Sequence, residues 1–251
     1  MDNQKSIYEE LKPFAGMIID QGRGVTVSDL AFASAEDRYS TGFIQLTTLV
    51  LPSSDTVKLF RTNIGGTGQG SGSLELTRAE TNNTNGDRQP SNQVYIATHL
   101  GFQVYAISGT FVNIPIMNPA SIYKIGMSTV WNLTVGDGIK RTLGTVLEYP
   151  AGSGIDVKAA GTGAGAIITA AAPSFNAFSN NGWVGCNKRK LPIPIVFPPN
   201  VQVDIELETG SAQTLIDNAE QAGWGGGTAS FEGGKIAYKA TFRGFRMTLP
   251  A

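Results

Sequence analysis

The chain has 251 residues, 41% of them hydrophobic, enough to bury a sizeable core as one large β domain or two small ones. Nineteen basic and twenty acidic residues leave a net charge of −1, which excludes a global field drawing the chain to nucleic acid or an anionic membrane. A single cysteine, Cys186, excludes an intrachain disulfide and a cysteine zinc cluster.

Met1–Lys5 leads into no apolar signal-peptide core, and no run approaches the roughly 18 apolar residues that cross a bilayer. The expected product is soluble when made and assembled in a reducing cytoplasm. Charged residues make up 16% of the chain against about 25% in an average domain, a depletion that suits a surface covered by neighbours.

The first element in chain order is helical. Ser6 and Glu9 stand at capping-box spacing, Ile7, Leu11 and Phe14 fall on one side, and Pro13 limits the length. This predicts a short helix packed on the body, or an arm that touches a neighbouring subunit or a lipid surface. From Gly24 onward the chain reads as strand and turn. Gly42–Leu51 and Asp55–Asn63 flank Pro52-Ser53-Ser54, and Gln93–Leu100, Phe102–Ile107 and Thr110–Ile116 are punctuated by Gly101 and Gly109. Met127–Val135 and Ile139–Tyr149 flank Gly136-Asp137-Gly138, a hairpin signal that turns Trp131, Leu133 and Val135 inward and Asn132 and Thr134 outward.

The clearest strand follows Pro198-Pro199-Asn200. Val201, Val203, Ile205 and Leu207 alternate with Gln202, Asp204, Glu206 and Glu208, so a period of two puts the apolar set on one face and the polar set on the other. In the last strand, Lys235–Leu249, Ile236, Tyr238, Ala240 and Phe242 share a face. A phase slip at Gly244, as a bulge would give, then brings in Phe245, Met247 and Leu249. Weaker strands are Gly24–Leu30, Leu74–Arg78, Ile155–Lys158, Ala166–Ala170 and Gly227–Phe231. Gly65–Gly72 and Thr81–Asp87 read as polar loops, Ala212–Ala222 as a short helix, and Phe175, Phe178 and Trp183 as apolar residues in glycine- and asparagine-rich loops suited to subunit contact.

About fourteen to sixteen strands without interleaved helices mean sandwiches or barrels. The expected fold is all-β, a double jelly roll of two eight-stranded sandwiches, with one enlarged jelly roll with long loops as the alternative. The corresponding division is an arm at 1–23, a first jelly roll at 24–119 and a second at 120–251.

Residue types that do chemistry are scarce. Gly161–Ala166 matches a dinucleotide fingerprint, but Pro173 cuts the following segment short and no acidic residue stands about twenty positions on. His99 is the only histidine and sits in a strand pattern, which favours a structural or interface role over catalysis. No catalytic residue and no cofactor is assigned. Asp204, Glu206 and Glu208 lie about 7 Å apart along one face, too far for a tight calcium site without help from loops. They form a solvated face, or a contact bridged by a cation or by Lys188-Arg189-Lys190 of a neighbour. That basic run lacks interleaved aromatics, so no sequence-specific nucleic acid is expected as a partner.

Three passages carry a resemblance: Thr56–Gly70, a strand running into a glycine-rich turn; Gln89–Tyr95 leading into Gly101–Val104; and Leu191–Leu207, with its prolines before an alternating strand. Together they resemble the major capsid proteins of tailless icosahedral phages with an internal membrane, of the corticovirus and Finnlakevirus type. The resemblance implies a structural, non-enzymatic protein of the virion, made in the host cytoplasm. It implies homotrimers forming pseudo-hexagonal capsomers that meet neighbouring capsomers, other capsid proteins such as a penton, and the internal membrane. Structural calcium occurs in such shells, but no ligand set maps onto this chain. Interface candidates are Ile7, Leu11, Phe14, Trp183, Lys188, Arg189, Lys190, Asp204, Glu206 and Glu208. Two other readings compete: a carbohydrate-binding or adhesin-type β-sandwich using Trp183 or Trp224, and a β-sandwich hydrolase using Asp137 and Glu148.

Overall fold

The structure, a computed structural model, describes residues 9–20, 24–46, 50–72, 74–84, 88–107, 119–136, 138–149, 155–160, 174–179, 189–214 and 235–250. Its strands are β1 (Ile18–Asp20), β2 (Val25–Thr26), β3 (Ala31–Gln45), β4 (Val50–Leu51), β5 (Thr56–Leu59), β6 (Gln93–Ile107), β7 (Thr129–Val135), β8 (Arg141–Thr145), β9 (Ile155–Ala160), β10 (Ser174–Ser179), β11 (Arg189–Phe197), β12 (Val203–Thr209), β13 (Gln213–Thr214) and β14 (Lys235–Thr248). A helix, α1 (Pro119–Ser128), leads into β7.

The chain is all-β in antiparallel sheets, with two four-stranded sheets at its centre. Sheet one has the order β11-β6-β14-β3 and sheet two the order β5-β12-β7-β8. Three two-stranded ribbons, β1-β2, β4-β13 and β9-β10, complete the pairings among the described residues.

Both four-stranded sheets draw strands from both sides of residue 119. Strand β14 pairs with β6 and β3, and β12 pairs with β5. The boundary expected at 119/120 therefore does not separate two sandwiches. The described strands instead form one pair of facing sheets around a shared core.

That core holds Ile44, Tyr95, Leu100, Phe102, Ile195, Phe197, Ile236, Tyr238 and Phe242 from sheet one against Val57, Leu59, Trp131, Val203, Ile205 and Leu207 from sheet two. Aromatic rings pack along sheet one and, at Trp131, across to it from sheet two. Phe197 stands edge-on to Tyr95 and Phe242, with ring centroids at 5.5 and 5.3 Å, and Trp131 lies between Phe102 and Tyr149 at 5.8 and 5.2 Å. Strand β12 keeps the expected alternation, with Val203, Ile205, Leu207 and Thr209 buried and the acids between them partly exposed.

Several elements differ from the pattern-based expectation. Gly101 does not interrupt β6, which runs through it for 15 residues, and β3 starts at Ala31, eleven residues before the first clear alternation. Phe175 and Phe178 lie in β10, paired with β9, and not in a loop. The helix expected over Ala212–Ala222 begins instead with β13, because Gln213 and Thr214 pair with Leu51 and Val50. Helix α1 occupies a stretch with no helical expectation, starting at a proline in the first helical turn, where the missing N–H costs nothing. Val135, expected to point inward, is exposed at the hairpin tip. The expected strands Thr110–Ile116, Ala166–Ala170 and Gly227–Phe231 lie outside the described residues.

The phase slip belongs to the neighbours of β14. Phe242 faces the main core, while Phe245 and Met247 lie in a second cluster, on the other face of the sheet. Even and odd positions of β14 thus keep their faces throughout. The extra residues sit opposite: Thr98 of β6 is skipped between the pairs Arg243–His99 and Gly244–Ala97, and Ala33 of β3 between Arg246–Ser34 and Met247–Phe32. Tyr95 and Ala97 precede the first bulge on the core face, and Leu100 and Phe102 follow it there. A β-carbon on Gly244 would overlap the Ile96 carbonyl oxygen and approach Ala97 Cα to 2.8 Å, so the bulge needs glycine opposite it.

Gly244→Ala should therefore cost about 2–4 kcal/mol, as overpacking against immovable backbone does. Gly16→Ala, with nothing within 4 Å of the added carbon, should stay within about 0.5 kcal/mol. Urea midpoints of the two variants test this, and equal midpoints would refute the bulge contact.

Buried phenols give a second test. Burial raises Tyr95 and Tyr238 well above the ordinary tyrosine value and pushes Tyr105 up to about 12. An unfolded chain releases these protons near pH 10, before the folded chain does, so their contribution is complete below that pH. Stability should fall progressively from about pH 10 to 12. Tyr238→Phe should shallow that fall while losing about 1 kcal/mol at neutral pH through its hydrogen bond with Thr129 Oγ1.

Candidate interaction surfaces

The outer face of sheet two carries the acidic row, and each acid is already engaged. Register places Glu206 opposite Lys58 of β5 on one side and Asn132 of β7 on the other. Lys58 Nζ lies 3.7 Å from Glu206 Oε2. Lys140, in the loop of the β7–β8 hairpin, donates to Glu206 and, at 3.0 Å, to Glu208. Both carboxylates hold the Lys140 ammonium above its ordinary pKa.

Arg61 forks onto Asp204. Its Nη2 donates to Oδ2 at 2.5 Å and its Nε pairs with Oδ1, while Gln202 Nε2 donates to both carboxylate oxygens at 2.9 Å. Thr142 Oγ1 donates to Asn132 Oδ1 at 2.6 Å, carrying the polar network onto β8. Asp204 and Glu206 are less than one-fifth exposed.

Within the chain the row is not simply solvated, since each acid has a basic partner of its own. It is a charge lattice that ties β5, β12 and the β7–β8 hairpin together. Its carboxylates are taken up by lysine and arginine, and among the described residues no group of three His, Cys, Asp or Glu could hold a metal ion.

The basic run sits elsewhere. Arg189 and Lys190 begin β11, at the edge of the other sheet, and Lys188 lies outside the described residues. The Arg189 guanidinium covers the Tyr149 ring at 4.9 Å and donates to the Glu148 carbonyl at 3.1 Å. Lys190 is exposed. Glu148, the suggested hydrolase carboxylate, closes a capping box with Thr145, and Asp137 lies outside the described residues.

Of the N-terminal stripe, Leu11 is spent on the chain's own sheet. Leu11 is 4% exposed and packs with Ile19, Val25, Val27 and Leu30 onto Val94, Ile96, Phe245 and Met247 of sheet one. Phe14 is half-buried in a 3-10 turn, and Ile7 lies outside the described residues. Leu11 is therefore a core residue of a self-cover, in place of a contact offered to a neighbour or membrane. The apolar face of sheet one at β14 residues 245–247 demands such a cover, and the nearest chain supplies it.

The other end of that face is covered by the glycine-rich segment, which pattern alone gave no role. Phe43 N–H donates to the Gln69 carbonyl and Gly72 N–H to the Phe43 carbonyl, both at 3.1 Å, while Leu76 joins Phe43 and Ala237 in a third cluster. Farther along, Asn82 N–H bonds the Tyr39 carbonyl and Thr41 Oγ1 bonds the Glu80 carbonyl. Residues 69–82 thus close the free edge of β3, which would otherwise present unpaired backbone groups. Gly70, at φ +111°, lies too close to the Phe43 carbonyl for any side chain.

Trp183 and Trp224, the aromatic platforms of the sugar-binding alternative, lie outside the described residues. Trp131 is fully buried and offers no exposed ring. No helix among the described residues is long and apolar enough to cross a membrane. Comparison with protein-family models, curated proteins and solved structures finds no match to this chain.

Asp204→Ala should cost about 1–3 kcal/mol, because it strands a partly buried guanidinium. Arg61→Ala in the Asp204→Ala background should add far less than it does alone. Denaturant melts of the two singles and the double give the coupling directly; additive losses would mean that the fork contributes nothing.

Proposed function

We propose that this chain is a structural protein of an icosahedral viral capsid, a single enlarged jelly roll whose work is to assemble with copies of itself. Strand order carries the reading. Taking the eight strands β3, β5, β6, β7, β8, β11, β12 and β14 in sequence, sheet one holds the sixth, third, eighth and first, and sheet two the second, seventh, fourth and fifth. Successive strands cross between sheets except β7–β8, and the last strand returns beside the first. That is the wiring of an eight-stranded jelly roll built from two Greek keys, an architecture shared by viral capsid and lectin domains.

The resemblance in the three sequence passages selects the capsid member of that pair. Two of the passages have structural roles that suit a shell subunit: Thr56–Gly70 forms β5 and the start of the edge cover, and Leu191–Leu207 joins the two sheets. One sandwich per chain changes the arithmetic of the capsomer. A homotrimer then presents three lobes, and a six-lobed, pseudo-hexagonal capsomer takes six chains instead of three. Contacts with a penton protein and with an internal membrane belong to the same proposal, carried by surfaces other than Leu11.

Light scattering and electron microscopy of the purified chain test the reading. A species of three or six times the chain mass, with shell-like or sheet-like particles at high concentration, is expected. A monomer at every concentration and salt level that binds on a glycan array would replace the capsid reading with the carbohydrate-binding one.

A further inference from the structure

We propose that His99 is a pH-dependent latch that holds the described N-terminal segments, residues 9–20 and 24–30, on the outer face of sheet one. Two facts meet at this point. Glu10, on the helical turn that opens the segment, has a carboxylate oxygen, Oε1, that is buried and has no hydrogen-bond partner among the described residues. The same oxygen lies 3.7 Å from His99 Nδ1, in a pair whose side chains are only 24% and 27% exposed. A buried carboxylate oxygen without a donor is costly, and an imidazolium beside it offsets that cost.

The bulge in β6 supplies the switching geometry. Thr98, the skipped residue, has its hydroxyl 2.9 Å from His99 Nδ1 and 3.4 Å from the Arg243 carbonyl oxygen. With a neutral ring accepting at Nδ1, the Thr98 hydroxyl donates to the ring, and Glu10 gains no positive partner. With the ring protonated, Nδ1–H donates to Thr98, the hydroxyl turns to donate to the Arg243 carbonyl, and the positive charge faces Glu10.

Other charges face the ring as well. Lys190 of β11 and Arg243 of β14 are the register partners of His99 and oppose proton uptake. Arg243 is engaged by Asp37 of β3 at 3.3 Å, and Lys190 is exposed to solvent, so Glu10 supplies the close, partly buried counter-charge.

The sign follows from linkage. The docked segment favours the proton on His99, so the extra hold is complete below the ordinary imidazole value of about 6.5 and is lost as pH rises through the titration. Loosening the segment uncovers Val94, Ile96, Phe245 and Met247, an apolar surface that is hidden while the latch is closed. The inference does not depend on the capsid reading.

Hydrogen exchange of the full chain, expressed as protection factors to remove the intrinsic pH effect, tests it. Peptides covering residues 11–30 should be about two- to five-fold better protected near pH 5.5 than near pH 7.5, the size of effect a partly exposed pair gives. Glu10→Gln and His99→Gln should each abolish that difference while peptides from β12 stay unchanged. Should His99→Gln disturb the fold, Glu10→Gln, which keeps the size of the side chain and removes only its charge, decides alone. An unaltered pH response in Glu10→Gln, or equal or greater protection at the higher pH in the wild type, would overturn the latch.

Discussion

Strand β14 runs between β3 and β6, hydrogen-bonded to both along its full length, from Lys235 to Thr248. A central strand of 14 residues, paired on both sides, leaves no backbone group free and sets the register of everything beside it. Its two partners each carry one residue more than it does at one point, and both bulges fall in the half nearest its end. There one face of the sheet continues along the main core, with Tyr95 and Ala97, while the opposite face meets the N-terminal cover, with Val94, Ile96, Phe245 and Met247. The bulges add local twist to the three long strands in that half.

Sheet one is consequently apolar on both faces at each end, and the chain must cover the outer face twice. The N-terminal segment does so at one end and the glycine-rich segment at the other. Between them lies a polar belt in which Lys239 covers the Tyr39 ring and bonds the Ala79 carbonyl, and Arg243 pairs with Asp37. His99 sits at the border of this belt and the N-terminal cover, which is why one titratable group touches the segment's hold.

Sheet two solves the opposite problem. Its inner face is apolar and its outer face is ionic, and the ionic face is balanced within the chain. Three cations, Lys58, Arg61 and Lys140, lie among three acids drawn from a single strand. A face whose charges are mutually satisfied has little to offer a charged partner. On the capsid reading proposed above, self-assembly would fall to the edges and loops of the sandwich, in keeping with a chain so poor in charge overall.

The sequence by itself determined the class of fold and the best strands. Alternation over Val201–Glu208 and the turn at Gly136–Gly138 are local consequences of a two-residue period and of glycine's freedom, and both appear as read. Those signals stop at the strand and cannot say which strands share a sheet; only the pairing of β14 and β12 shows that the described strands on the two sides of residue 119 share sheets. The same limit hid the faces. Phe245 and Met247 look like a phase slip in one strand, whereas they lie on its other face, beneath the N-terminal cover. Leu11 looks like a free stripe until the sheet that needs covering is in view. The acids of β12 were visible as a row, but Arg61 and Lys140 lie 143 and 66 residues away from their partners, a distance no local pattern spans. Tertiary structure alone decided these points, because each depends on which distant backbone lies one strand, about 4.8 Å, to the side.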